Sequence, residues 1–215
     1  MTFRGWPAEA IEFFEGLEAD NSKSFWQAHK DLYERCVKHP MDELVGELEP
    51  EFGQGRIFRP YRDMRFSKDK SPYKTNIGAM VGPSGYVALS TEGLGVGSGM
   101  HMMAPDQLDR YRSAVAAEQS GEALALIVTT IRDNGYDCVL HSPLQTAPKG
   151  YPKDHPRIEL LKGKGITVWQ SWPPAHWLGT SKAKERIVAV LRASVPLNGW
   201  LAEHVGGSSF DNFRG

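Results

Sequence analysis

The stretch "TNIGAMVGPSGYVALSTEGLGVGSGMHM", from Thr75 to Met102, constrains the fold more than any other. It holds three runs, each too short for a stable helix and rich in residues that fit a pleated surface. "GPSG" separates the first two and "EG" the last two, and both are tight-turn signals. Turns this short can only join antiparallel neighbours, so the three runs are predicted to form a meander. "RIFR" at Arg56–Arg59 and "ITVWQSW" at Ile166–Trp172 read as further strands.

The flanking segments are helical. "AEAIEFFEGL" repeats Ile11, Phe14 and Leu17 at helical spacing, with Pro7 placed for the first turn. "KSFWQAHKDLYERCV" puts Phe25, His29, Leu32 and Cys36 on one stripe, and Pro40 ends that helix or begins a shorter one through Met41, Leu44 and Leu48. His29 on such a stripe is expected to be a core residue with one hydrogen bond. After the strands, "PDQLDRYRSAVAAE" starts on Pro105 and aligns Leu108, Tyr111 and Val115. "GEALALIVTTIRDNG" aligns Leu124, Ile127, Val128 and Ile131 and stops at Gly135. A loop-rich piece, "HSPLQTAPKGYPKDHP", follows. "SKAKERIVAVLRASV" and a short helix after Pro196 with Trp200 and Leu201 close the pattern. Helices, then consecutive strands, then helices argue for α+β with an antiparallel central sheet flanked by N- and C-terminal helices, and against a doubly wound parallel sheet. At 215 residues one domain spanning 1–215 is expected: helical over 1–50, strand-rich over 56–103, mixed over 105–205, with a loose tail at 206–215.

Charge enters the argument at one place. "RPYRDMRFSKDKSPYK", Arg59 to Lys74, carries six cations and two carboxylates, a net of +4, in a chain whose net charge is −1. The remainder therefore sums to −5. Concentrated positive charge can attract an anion even when the whole molecule is near neutral, whereas the global balance argues against a general nucleic-acid binder. In a regular strand Arg59 and Arg65 would share a face and Arg62 would point away. A helix is limited by Pro60 and Pro72, and a polyproline-II chain would align Arg59, Arg62, Arg65 and Lys68. An irregular extended segment is favoured. In any of these conformations guanidinium forks suit carboxylate or phosphate and keep their charge. Asp63 and Asp69 can neutralise part of the cluster. An internal ion-pair lattice is the competing explanation, because structural networks use the same groups.

Other motifs are weaker. "GLGVGSG" strips one strand face of side chains at Gly93, Gly95, Gly97 and Gly99, so something must approach the backbone closely; a Trp or Tyr ring is the expected neighbour. Neither GxGxxG nor a P-loop occurs. Two SxxK spacings, Ser67–Lys70 and Ser71–Lys74, are attributed to lysine density. No HExxH and no zinc-type Cys/His cluster exists, so no metal and no cofactor is expected. "MHMM" at Met100–Met103 reads as core-edge packing, and Asp154 with His155 is an acid–base pair only if the fold brings both to the arginines. Cys36 and Cys138 are distant in sequence and read as reduced thiols. "MTFRGWPAEAIEFF" lacks the apolar core of a signal peptide and "LALIV" is too short for a bilayer, so a cytoplasmic location without membrane contact is expected.

The basic stretch resembles the signature of a mainly bacterial family, domain of unknown function 2461, which carries Arg-x-x-Arg-Asp-x-Arg-Phe, Asp-Lys and Tyr; the matching positions are Arg59, Arg62, Asp63, Arg65, Phe66, Asp69, Lys70 and Tyr73. "DNSKSFWQAHKDLYE", "PKGYPKDHP" and "VPLNGWL" are similar to other segments of that family, with Phe-Trp here where Trp-Phe is its pattern. The resemblance implies that the segment is the signature site and implies no reaction. The functional expectation is recognition of a phosphate- or carboxylate-bearing ligand by Arg59, Arg62, Arg65 and Lys70, with Tyr73 as a hydrogen-bond donor and Asp63, Phe66 and Asp69 in support. A non-enzymatic scaffold or protein-binding module built on the Arg–Asp network is the alternative, and nucleic-acid binding the second alternative. Catalysis is left unassigned.

Overall fold

The structure, a computed structural model, describes residues 2–63 and 70–210. The chain is α+β. Its strands, β1 (Arg56–Ile57), β2 (Asn76–Val81), β3 (Gly85–Ser90), β4 (Gly93–Met100), β5 (Asp137–His141) and β6 (Gly165–Trp172), form an antiparallel sheet in the order β1-β2-β3-β4-β6-β5. The predicted meander is β2-β3-β4. Its first register runs from Asn76↔Ser90 to Val81↔Gly85. Gly82 takes a left-handed φ of 59° in the turn between them, which suits a residue without Cβ.

The chain divides into two compact units, Met1–Val96 with Ser171–Ala189 and Gly97–Gln170 with Val190–Gly215. In the first, α1 (Glu9–Ala19) buries Ala10, Phe13, Phe14 and Leu17. Ser22 caps α2 (Lys23–Leu32), its Oγ accepting from the Phe25 N–H at 3.1 Å. The helix then widens into a π-helical stretch, Tyr33–Lys38, and continues as α3 (His39–Phe52), with Pro40 in the first turn. The buried stripe departs from the expected one within α2 itself, where Trp26 and not Phe25 faces the core. Trp26, Tyr33, Cys36, Val37, Met41, Leu44 and Leu48 are buried, while Phe25, His29 and Leu32 are half-buried beside them. His29 stacks on Phe25 at 4.0 Å and its Nδ1 bonds the Phe25 carbonyl at 2.9 Å, so the single expected bond is present. Phe13, Phe14, Trp26 and Tyr33 knit α1 to the α2 region through edge and tilted ring contacts.

In the second unit α4 (Pro105–Ala116) and α5 (Glu118–Asp133) bury Tyr111, Val115, Leu124, Val128 and Ile131. With them pack α6 (Ile158–Lys162) and α8 (Val195–His204). Two buried polar ends find acceptors: Tyr111 O–H donates to the Leu160 carbonyl at 3.1 Å, and the Trp200 indole N–H to the Ser120 carbonyl at 2.9 Å. The remaining helix, α7 (Lys182–Ala193), matches its predicted span. Strand β5 and helix α6 are elements the sequence reading lacks. Only Cys138 of the strand's five residues is buried, so it shows no alternation, and pairing to β6 (Cys138↔Val168) defines it. The expected loose tail is tied down through Ser209: Asp106 accepts from Ser208 Oγ at 2.8 Å and from the Ser209 N–H at 2.9 Å, and Arg110 donates to the Val205 and Gly207 carbonyls at 2.6 Å. Among the described residues no helix is long and apolar enough to cross a membrane, and both cysteines are buried free thiols.

Candidate functional site

The chain leaves β1 through Phe58, whose N–H donates to the Gly78 carbonyl at 2.9 Å, and enters the basic stretch. The stretch goes out and returns as two antiparallel limbs bridged at Tyr61↔Tyr73. Both bridging bonds end on prolines: Arg62 N–H donates to the Pro72 carbonyl at 2.9 Å and Lys74 N–H to the Pro60 carbonyl at 2.8 Å. A proline has no N–H to give, but its carbonyl is a full acceptor and it biases the preceding residue toward extended backbone. Pro60 and Pro72 therefore permit the bridge and bias Arg59 and Ser71 toward extended backbone.

Asn21 clamps the returning limb. Its Oδ1 accepts from the Tyr73 N–H at 3.0 Å and its Nδ2 donates to the Tyr73 carbonyl at 3.2 Å, so one amide side chain replaces a strand neighbour. Five residues on, Trp26 stacks on the Tyr73 ring at 4.4 Å with a 7° interplanar angle. Tyr61 closes the cluster, 5.4 Å from Tyr73 and 6.0 Å from Trp26. Tyr73 is buried and Tyr61 is exposed. The start of α2 thus fixes the position of the basic limbs.

The cations converge at this base. Lys74 Nζ lies 5.4 Å and Arg56 Cζ 5.5 Å from the centroid of the Phe58 ring. The Lys74 ammonium is held below the ordinary lysine pKa, by burial first and then by the positive charges of Arg59 and Arg62. Burial, and secondarily Tyr61, hold the Tyr73 phenol above the usual tyrosine value, so its hydroxyl keeps its proton at neutral pH. Tyr33 is pushed up by burial first, then by Glu34, Asp42 and Tyr61.

Of the residues singled out from sequence, Arg59, Asp63 and Lys70 are exposed, Arg62 is half-buried and Tyr73 is buried. Arg65, Phe66 and Asp69 lie outside the described residues, as does Ser67. Sequence reasoning missed Asn21, Trp26 and Lys74 as parts of the site. The signal for Asn21 was present in "DNSKSFW", where Asn directly precedes a Ser cap, but a contact 52 residues away has no local signature.

The other motifs resolve in the second unit. A Cβ on Gly97 would sit 2.6 Å from Trp169 Cε3, so an aromatic ring does cover the bare strand at that position. In "MHMM", Met103 is buried, and His101 lies against His141 with ring centroids 4.1 Å apart. His141 bonds Thr167 Oγ1 at 2.8 Å and its pKa is lowered by burial first and His101 second. His155 Nδ1 accepts the Arg157 N–H at 3.0 Å. Among the described residues no group of three or more His, Cys, Asp or Glu side chains could hold a metal ion.

The model of the family described as conserved hypothetical protein (DUF2461) matches residues 9–200, which include both Asn21 and the basic limbs. No curated protein and no solved structure matches the chain.

Proposed function

We propose that this chain, which belongs to the DUF2461 family, binds a phosphate- or carboxylate-bearing ligand at the bridged basic limbs. Arg59, Arg62, Arg65 and Lys70 supply charge and donors, Tyr73 supplies a hydroxyl donor, and the reading adds Lys74. The observation that carries it is the convergence of Arg59, Arg62 and Lys74 at a base locked by two backbone bonds, with a Lys74 ammonium disfavoured by burial and by its cationic neighbours. An anion would relieve that repulsion, and forked guanidinium donors on a pre-fixed backbone would lose little entropy in holding it. In this reading the protein acts in the cytoplasm.

The scaffold reading keeps one observation in its favour: Arg62, Asp63 and Lys70 each interact with other groups of the chain. Isothermal titration with inorganic phosphate and with citrate separates the two. Saturable binding that weakens at least tenfold in Arg59→Ala supports the ligand site. Absence of binding by either anion, in a folded protein at low salt, leaves the limbs as architecture. Binding by oligonucleotide alone would favour nucleic acid instead.

A further inference from the structure

The bridge sorts the side chains of the basic limbs by chemistry. Residues directly opposite each other in an antiparallel pair project to one side, and their chain neighbours to the other. Tyr61 and Tyr73 are the opposite pair, and both lie against Trp26. Arg62 and Lys74, next along each limb, therefore project away from α2. The Lys74 ammonium, 5.4 Å from the Phe58 centroid, marks what lies on that side. Arg56, two residues before Phe58, meets the same ring at 5.5 Å.

Strand register carries this side onto the sheet. Arg56 pairs with Met80 and Met80 with Tyr86. The Phe58 and Tyr86 ring centroids are 6.2 Å apart, tilted by 38°. Tyr86 is held in place: its hydroxyl bonds the Asn76 side chain. A Cβ on Gly78 would lie 2.8 Å from the Tyr86 hydroxyl oxygen and 3.2 Å from Cζ, so the ring rests on bare strand backbone. This is the open face of the meander: Met80 and Tyr86 are half-buried, as is Phe58, whereas Ile77, Ala79 and Val87 on the other face are buried. Two adjacent, partly exposed rings are thus bordered by Arg56, Arg62 and Lys74. Among the described residues neither Arg56 nor Lys74 has a carboxylate partner.

Inorganic phosphate or an aliphatic carboxylate would use the cations and leave the rings idle. A neutral aromatic would use the rings alone. A nucleotide uses both: each base has a π-face that stacks on aromatic side chains, and its phosphate suits ammonium and guanidinium donors. Building on the anion site proposed above, we infer that its ligand is a nucleotide. The phosphate is held by Lys74 and Arg62, and the base lies against Phe58 and Tyr86.

The test is calorimetric titration of the full chain at low salt with adenosine monophosphate, ribose 5-phosphate, inorganic phosphate, adenosine and octadeoxyadenylate. The monophosphate should saturate the site at least about fivefold more tightly than ribose 5-phosphate, the low end of what one base–aromatic stack contributes. Adenosine should bind more weakly than the monophosphate. Phe58→Leu, which keeps apolar bulk, should erase most of the preference for the monophosphate over ribose 5-phosphate. Should that variant not fold, the wild type decides the same point by NMR: adenine ring protons should shift upfield and show NOEs to Phe58 and Tyr86. Ribose 5-phosphate bound as tightly as the monophosphate, or no such NOEs in the saturated complex, would overturn the inference and leave the anion site standing. Adenosine bound as tightly as its monophosphate would overturn it as well. Octadeoxyadenylate bound more than about tenfold tighter than the monophosphate would overturn it in favour of single-stranded nucleic acid. Failure of both phosphates and the monophosphate alike to bind would remove the anion site and the inference together.

Discussion

Replacing Gly97 with valine tests the packing of the bare strand directly. A Cβ built at this position meets Trp169 Cε3 at 2.6 Å, Cζ3 at 3.0 Å and the Val168 carbonyl oxygen at 3.2 Å. The first contact is closer than real Cβ atoms tolerate, and the third is backbone of a paired strand, so the ring must move. Valine then adds two more methyl groups to the same space. Overpacking of this kind costs roughly 1–3 kcal/mol. The gain in β-propensity on leaving glycine, within a scale of about 1 kcal/mol, opposes it without reversing it. Urea denaturation should therefore show a lowered midpoint at an unchanged slope. Trp169→Leu removes the two clashing atoms, so Gly97→Val should cost less in that background than alone, a coupling a double-mutant cycle reads out. A Gly97→Val protein with wild-type stability would refute the reasoning.

Three further predictions follow from the same contacts. Asn21→Ala removes both bonds to the Tyr73 backbone, which should cost about 1–3 kcal/mol in chemical denaturation and speed amide exchange at Tyr73, while Asn21→Asp, which keeps only the acceptor, should fall between. Because burial and then Arg59 and Arg62 depress the Lys74 pKa, the folded state resists this proton and the cost is relieved as pH rises through the folded value; Arg59→Ala should move the NMR titration of Lys74 upward. The depressed His141 pKa means the unfolded chain takes up a proton first as pH falls below about 6.5, so stability should decline from there until the folded value is reached. His101→Ala should raise the His141 titration midpoint, and an unmoved midpoint would contradict the pairing.

The sequence exposed what is periodic and local. The β2-β3-β4 meander was legible because short alternating runs separated by "GPSG" and "EG" leave no other pairing. Helices α4 and α5 were legible from Leu124, Val128 and Ile131 and from Pro105 at a first turn. Gly97 foretold a close ring, since a glycine strand face has few other causes. Strand β5 was illegible because its residues are mostly half-exposed and its identity comes from a partner strand. The α2 stripe was misplaced by one position: Trp26, beside the expected Phe25, is the buried aromatic, and two adjacent aromatics do not announce which of them faces the core. The basic stretch is marked by Arg59 and Arg62, yet the groups that hold it, Asn21 and Trp26, sit just before and within α2, far away in sequence. Their roles depend on a 4.4 Å stack and two hydrogen bonds of one side-chain amide that no spacing rule encodes.

The central claim is that the basic limbs hold an anion, and thermal unfolding of wild type and Arg62→Ala across a panel of anions tests it most directly, with chloride at matched ionic strength as control. Phosphate or a phosphorylated metabolite at about a hundred times its dissociation constant should stabilise the wild type by roughly 2.7 kcal/mol. Arg62→Ala should abolish that gain. A wild type whose unfolding temperature is indifferent to every anion would contradict the account.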